Sequence, residues 1–300
     1  MDEKLSRRAV LAGAAALFAG PAPAKEKLKI SIFSKHLAFV QGPDLAKAAA
    51  DLGFDGVDIT VRKGGHIAPE RVKETLPGLV AILKKQGLAV PMITTDIVDA
   101  DTPYAEDILR TASELGIRNY RFGGLKYAQN EQIPAQLEQF RVRLDKLAKL
   151  NAKYQTCAMY HTHSGVGLVG APIWDLYIIL KDIDPKLVGI NYDIGHATIE
   201  GGLGGWIASW RISGPHVRGI ALKDFVWAKG PKGWREQWTP IGEGMVHFPQ
   251  FLGMVAESNF DGPVQVHYEY PLPESDRAAT YAAMKRDLTT LRGYFAKAGL

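Results

Sequence analysis

The sequence is poor in several features that would mark particular classes of protein. It has one cysteine among 300 residues, so no intramolecular disulfide can form. That residue, Cys157, lies in the apolar run 156–160, where a buried and unreactive thiol is expected. The 36 basic and 32 acidic residues are interspersed, and neither a basic stripe nor an acidic tail is present. We therefore expect no nucleic-acid partner.

The first 24 residues differ in kind from the rest of the chain. Arg7 and Arg8 precede an apolar run of Ala, Leu and Phe, and small residues follow at 22–24. This order is typical of a twin-arginine export signal, and the apolar run is too short and too rich in alanine to span a membrane. We predict a signal peptide over residues 1–24 and a periplasmic or secreted protein with no stable membrane span after cleavage.

Residues 25–300 alternate short apolar runs with amphipathic stretches. Strands are predicted near 28–33, 56–60, 89–95, 118–122, 154–160, 188–192, 217–222 and 263–268. Helical patterns, with apolar residues at three- and four-residue spacing, are predicted near 43–52, 69–86, 103–115, 131–151, 172–181, 203–213, 247–258 and 275–297. Eight strand–helix units over this length predict an α/β fold, a (β/α)8 TIM barrel that forms a single domain after the signal peptide.

Polar residues gather where the predicted strands end. In such a barrel the loops after the strands carry the chemistry, because the strands below hold them in place. The residues at these ends include Arg62 and His66, Arg121, His161 and His163, Asp193 and His196, Lys223, and Glu269. Six of the eight histidines fall at or just beyond a strand end, counting His36 and His267 with those above. The clustering predicts a shared polar site at one end of the barrel.

Several segments resemble one known family, the xylose-isomerase-like TIM-barrel superfamily of sugar (phosphate) isomerases and epimerases, and in particular its exported twin-arginine branch. The resemblance extends over residues 27–298. It is carried by GFDGVD at 53–58, NYDIGH at 191–196, ALKD at 221–224, GEG at 242–244 and the late Glu269. It implies a divalent cation at the barrel mouth, held by a Glu after the fifth strand, the Asp of D-x-G-H, a His in H-x-K-D and a Glu after the eighth strand.

The sequence matches only part of this ligand set. Asp193 and Glu269 stand at two of the positions, whereas Ala221 replaces the His and no Glu follows the fifth strand. One alternative is that His161 or His163 joins Asp193 and Glu269 in a mixed site for Mn, Zn, Mg or Co.

The other alternative is a site without a metal. Lys223, Arg62 and Arg121 would then supply the positive charge that the cation supplies in the family.

The resemblance implies an enzyme that acts on a sugar or keto-sugar by proton abstraction next to a carbonyl: isomerisation, epimerisation, or elimination from a 3-keto-glycoside. A non-catalytic carbohydrate-binding barrel that has lost the metal is the alternative. The candidate residues are Glu269, Lys223, Glu243 and His196 for catalysis, and Arg62, His66, Arg121 and Trp227 for substrate binding. Glu243 is also interpreted as a turn residue, and the Pro/Gly-rich segment after the seventh strand is interpreted as a loop forming a lid or wall.

Overall fold

A computed structural model describes residues 27–273 and 275–300, so the predicted signal peptide lies outside the described residues. The strands are β1 (Ile30–Phe33), β2 (Gly56–Val61), β3 (Met92–Thr95), β4 (Asn119–Phe122), β5 (Cys157–His161), β6 (Val188–Asp193), β7 (Val217–Leu222), β8 (Asp224–Gly230), β9 (Gly233–Thr239) and β10 (Val264–Val266). All of them except β8 and β9 form a closed parallel barrel in the order β1-β10-β7-β6-β5-β4-β3-β2. The predicted TIM barrel is confirmed.

Helices cover the outside of the barrel. They are α1 (Gly42–Leu52), α2 (Val72–Lys85), α3 (Ala105–Glu114), α4 (Ile133–Tyr154), α5 (Trp174–Leu180), α6 (Ile194–Gly201), α7 (Gly205–Ser213), α8 (Phe248–Glu257) and α9 (Arg277–Ala298). Short 3-10 turns at 34–37, 69–71 and 214–216 complete the connections. Within residues 27–273 and 275–300, no helix combines the length and the apolar character that crossing a membrane requires.

The strands separate an apolar outer layer from a polar lumen. Every residue of β2 is buried, and its side chains alternate between the two faces. Val57, Ile59 and Val61 belong to the main apolar cluster. Asp58 faces the lumen, where Thr94 donates a hydrogen bond of 2.8 Å to its carboxylate. The helices are therefore held by aliphatic packing, and the lumen is left free for polar groups.

Two elements differ from the sequence-based interpretation. The segment after β7 is not an irregular loop, because β8 and β9 pair as an antiparallel hairpin from Asp224↔Thr239 to Gly230↔Gly233. Alternating aromatic and polar residues suit such a ribbon, and Pro231 and Lys232 at its turn had suggested a loop. The second element is α6, which begins directly after β6. It is too short for its apolar spacing to be recognised in the sequence.

Candidate functional site

The carboxyl ends of the strands surround a cavity of about 340 Å³. Charged groups and imidazoles dominate its wall. The lining residues are Phe33, Lys35, Arg62, Arg121, His161, His163, Ser164, His196, Lys223, Glu236, Trp238, His267 and Glu269. The barrel closure thus brings together most of the residues singled out in the sequence, from positions far apart along the chain.

Asp193 lies directly behind the cavity wall, in contact with the lining residues His161 and Lys223, and links a strand to a helix. It ends β6 and caps α6, with its Oδ1 accepting a hydrogen bond of 3.0 Å from the backbone N–H of His196. Its Oδ2 lies 3.1 Å from Lys223 Nζ and 3.4 Å from His161 Nε2. The carboxylate is fully buried. One oxygen of Asp193 therefore caps the helix, and the other contacts the charged and imidazole groups of the site.

Lys223 is the buried cation of the site. Besides Asp193, its ammonium donates to His196 Nε2 at 2.6 Å and lies 4.4 Å from the centre of the Trp238 ring. Burial lowers the pKa of Lys223, while Asp193 and Glu269 oppose this effect. Burial in turn raises the pKa of Asp193, but Lys223 and nearby imidazoles outweigh it and hold the value at about 2. The carboxylate is ionised at neutral pH.

Four imidazoles lie beside this pair, and all are neutral at neutral pH. Burial lowers the pKa of His196 to about 3 and that of His163 to about 4, and it holds the pKa of His161 and His267 well below the ordinary value. Since Lys223 donates to Nε2 of His196, the proton of that ring is on Nδ1, 2.8 Å from Ser164 Oγ. Neutral rings offer lone pairs to a cation or to a substrate hydroxyl.

Glu269 carries the second carboxylate of the cavity. Its side chain is 26% exposed and forms an ion pair of 3.2 Å with Lys35. Burial raises its pKa, but Lys223 and Lys35 lower it more, and the net value is below the ordinary one. The positive charge of the two lysines therefore outweighs the burial of this carboxylate. Glu269 is ionised and reaches the cavity.

Two guanidinium groups share one aromatic ring of the cavity wall. Arg62 and Arg121 place their Cζ atoms 5.4 and 5.7 Å from the centre of the Phe33 ring. Arg121 also contacts His163, with 3.4 Å between Nη2 and Nε2, and burial lowers its pKa to about 10. Arg121 remains charged at neutral pH, and both side chains face a cavity with few carboxylates.

Three predicted site residues lie away from the cavity lining. Both ring nitrogens of His66 are engaged locally, Nδ1 at 3.1 Å from Thr60 Oγ1 and Nε2 at 3.1 Å from the Val40 carbonyl. Glu243 is exposed in a turn and lines a separate groove with Tyr270. Trp227 is 40% exposed on β8. The rest of the polar wall comes from residues that the sequence analysis did not single out as site residues.

Those residues are Lys35, Ser164, Glu236 and Trp238. His267, one of the strand-end histidines but not one of the candidate site residues, lines the cavity and lies close to Asp193. His267 carried a recognisable signal, since it stands two positions before Glu269 at a strand end. Glu236 and Trp238 come from the hairpin, whose pairing brings them over the barrel. Without that pairing, nothing in the local sequence places them at the site.

The buried His/Asp cluster has the geometry to hold a metal ion. Ligand atoms of His161, Asp193 and His267 lie within 4.8 Å of one another, and those of His161, His163 and His196 form a second trio. His161 Nε2 and Asp193 Oδ2 are 3.4 Å apart, close to the edge of about 3.3 Å of a tetrahedral zinc site. His161 Nε2 has no hydrogen-bond partner, and Asp193 Oδ2 has none apart from its ion pair with Lys223.

The donor set of the first trio, two imidazoles and one carboxylate, fits zinc or manganese better than magnesium, which prefers oxygen ligands. Lys223 would share Asp193 Oδ2 with such an ion. Its positive charge weakens the binding of a second cation there. Glu269 belongs to neither trio and lies 4.0 Å from His267 Nδ1.

Comparison with known proteins identifies the family. Residues 46–288 match the model of the xylose isomerase-like TIM barrel. The chain belongs to this family. An uncharacterized protein of Methanocaldococcus jannaschii is 29% identical over 100 residues, 33% of this chain and 32% of that protein. The chain thus matches about a third of the length of this curated relative.

Solved structures agree on the fold. A xylose isomerase domain protein from Planctomyces limnophilus has a TM-score of 0.66 at 21% identity, covering 90% of this chain and 98% of that one. The 3-keto-D-glucoside 4-epimerase of E. coli, in its apo form, has a TM-score of 0.67 at 16% identity, covering 89% and 100%. A xylose isomerase-like TIM barrel protein from Mycobacterium smegmatis, in complex with magnesium, has a TM-score of 0.65 at 16% identity, covering 90% of this chain and 97% of that one.

Proposed function

We propose that the barrel mouth is the active site of an enzyme that removes a proton from a carbon next to a carbonyl of a sugar or keto-sugar. The observation that carries this proposal is one cavity holding an ionised carboxylate, Glu269, together with a buried ammonium, Lys223. A base and a cationic group at one place are what enolisation requires. The E. coli 3-keto-D-glucoside 4-epimerase, which has a similar fold, supports a keto-sugar substrate.

In this proposal Glu269 is the base. Its carboxylate takes the proton from carbon, the electrons of the C–H bond move into the carbonyl, and an enediolate forms. Lys35 holds Glu269 at 3.2 Å, which fixes the position of the carboxylate. Return of the proton by Glu269 to the other carbon, with the hydroxyl proton passing from one oxygen to the other, gives an isomer. Delivery of a proton to the opposite face by a second acid gives an epimer, and expulsion of a leaving group from the neighbouring carbon gives elimination.

Lys223 and His196 act on the carbonyl oxygen of the substrate. The ammonium donates to His196 Nε2 and lies beside Asp193, so a substrate oxygen that replaces His196 as acceptor would receive a hydrogen bond from a cation. Such charge-assisted hydrogen bonds stabilise an enediolate oxygen in a cavity with little water. Arg62 and Arg121 line the same cavity and bind substrate oxygens. The site therefore has its own positive charge.

We further propose that a divalent ion, with zinc or manganese preferred, binds between His161, Asp193 and His267. These residues would hold it through two imidazole nitrogens and Asp193 Oδ2, the atoms whose spacing suits such an ion. When bound, the ion would add Lewis-acid polarisation of the carbonyl.

We also propose that the protein is exported by the twin-arginine route. This proposal rests only on the arrangement of arginine, apolar and small residues in the segment 1–24.

The test is a substrate screen with the mature protein. Free ketohexoses and 3-keto-glycosides are incubated with the protein as purified, after chelation with EDTA, and after addition of zinc or manganese, and the products are separated by chromatography. We expect an epimer, isomer or elimination product with wild type and none with Glu269→Gln. Metal content is measured on the same samples. Zinc or manganese in stoichiometric amount supports the proposed metal site. A metal-free sample that keeps full activity refutes it.

The alternative function is carbohydrate binding without catalysis. Ala221 is fully buried in the barrel wall and cannot supply the imidazole that the family uses, and this observation favours the alternative. It predicts that a sugar binds to wild type and to Glu269→Gln with equal affinity and that neither protein converts it. Conversion by wild type alone contradicts it.

A further inference from the structure

The hairpin formed by β8 and β9 carries a line of aromatic side chains that begins inside the cavity and leads away from it. Its cross-strand pairs include Phe225↔Trp238, Trp227↔Glu236 and Lys229↔Trp234. Directly opposed residues of an antiparallel pair share a face, and so do residues two apart on one strand. These six side chains therefore lie on one face of the ribbon.

That face is turned towards the barrel mouth. Trp238 and Glu236 line the cavity, and the Phe225 ring lies 6.2 Å from Trp238 and 6.0 Å from Trp227 between ring centres. Gln237, on the opposite face of β9, does not line the cavity; it lines a different groove, which Trp238 also borders. The aromatic face is thus a continuation of the cavity wall.

Exposure increases along this face. Phe225 is fully buried, Trp227 is 40% exposed and Trp234 is 68% exposed. Trp238 and Trp234 are four residues apart on one strand, which corresponds to about 14 Å. Lys229 and Glu236 stand between the exposed rings on the same face. Flat rings alternating with hydrogen-bonding groups match the faces and hydroxyls of successive sugar rings.

We infer that the hairpin face is an extended carbohydrate subsite, in which Trp227 and Trp234 bind the non-reacting sugar of a glycoside while the reacting sugar occupies the barrel mouth. The inference rests on the proposed function, since it takes the barrel mouth as the place of the reacting sugar. It narrows the substrate class to glycosides with a second pyranose ring. A free monosaccharide would leave both tryptophans without a partner.

The dimensions favour a saccharide over a protein partner. The strip is about 14 Å long and, on a ribbon of two strands about 4.8 Å apart, roughly 10 Å wide. Its area is then on the order of 140 Å², whereas a stable protein interface buries about 800 Å² on each partner. A linear ligand one ring wide fits the strip, and a second protein surface does not.

The experiment compares disaccharides with monosaccharides by titration calorimetry. Cellobiose, maltose and lactose are the disaccharide probes, and D-glucose and D-galactose are the monosaccharide probes. Glu269→Gln is used as the parent protein, so that no probe is turned over. We expect at least one disaccharide to bind more tightly than its component monosaccharides. Trp234→Ala and Trp227→Ala should each weaken that binding about five- to tenfold, the effect of losing one stacked ring.

Arg235→Ala is the matched control, because Arg235 is exposed on the opposite face of β9. It should leave disaccharide affinity within about twofold of the parent. The inference is overturned if no disaccharide binds more tightly than its monosaccharides, or if the Trp variants weaken both classes of sugar equally. The readout is binding alone. Failure of the proposed chemistry would appear separately, as absence of conversion by the wild-type protein.

Discussion

Replacement of Lys223 by methionine tests how the buried charges of the cavity are balanced. Lys223 Nζ lies 3.1 Å from Asp193 Oδ2, and the two side chains are 4% and 0% exposed. Methionine keeps an unbranched apolar stem and removes the charge. Two unit charges at this distance attract by about 5 kcal/mol at an effective dielectric constant of about 20. Loss of one partner of a buried ion pair typically costs about 3–5 kcal/mol.

We therefore expect Lys223→Met to lower the free energy of unfolding by about 3–5 kcal/mol at pH 7. Lys35→Met is the control, since it removes the same charge from the pair with Glu269, whose side chains are 47% and 26% exposed. An exposed pair contributes about 0–1 kcal/mol. The contrast between the two variants measures the effect of burial on an ion pair in one protein.

The assay is urea unfolding followed by tryptophan fluorescence and circular dichroism. The variants are Lys223→Met, Lys35→Met, Asp193→Asn and the double variant Lys223→Met/Asp193→Asn. The double variant should recover part of the loss, because no buried charge is then left without its partner. Equal stabilities of Lys223→Met and Lys35→Met would refute the reasoning. So would a double variant less stable than the sum of its single changes.

Three further predictions follow from individual residues. Burial raises the pKa of Asp58 to about 7, so between pH of about 4 and 7 the folded protein holds a proton that the unfolded chain has released. Stability should fall as pH rises through this range, and Asp58→Asn should abolish the fall, measured as urea midpoints at pH 5 and pH 8. In Gly195→Ala the new Cβ would lie 2.7 Å from Lys223 Cγ; we expect a loss of activity on the order of tenfold to a hundredfold with an unchanged circular dichroism spectrum. Replacing Arg7 and Arg8 by lysine should retain the precursor in the cytoplasm, as cell fractionation will show.

The barrel could be predicted from the sequence because its signal is repeated. Most barrel strands contain a short apolar run, and a helix lies between each barrel strand and the next along the chain, so an error of a few residues at one boundary does not change the count. β2 and α1, for example, differ from their predicted ends by a single residue each. The buried state of Cys157 was likewise evident from its apolar neighbours and is confirmed.

The site was predictable only in part. Asp193, Lys223 and Glu269 follow strands and could be recognised from position alone. Lys35 and Trp238 depend on which strands are neighbours and on the pairing of the hairpin, which are properties of the closed fold. His66 looked similar to the cavity residues but is engaged by Thr60 and the Val40 carbonyl. A strand-end position thus indicates at which end of the barrel a side chain lies. It does not indicate which groups that side chain contacts.

The proposal of proton abstraction is tested most directly by solvent exchange. A keto-sugar that binds to the protein is incubated in D2O, and deuterium at the carbon next to the carbonyl is followed by NMR. The account predicts incorporation with wild type and a rate reduced to that of the buffer alone with Glu269→Gln, at unchanged sugar affinity. Conversion of the sugar by wild type without any exchange at that carbon, or equal exchange by both proteins, would contradict it.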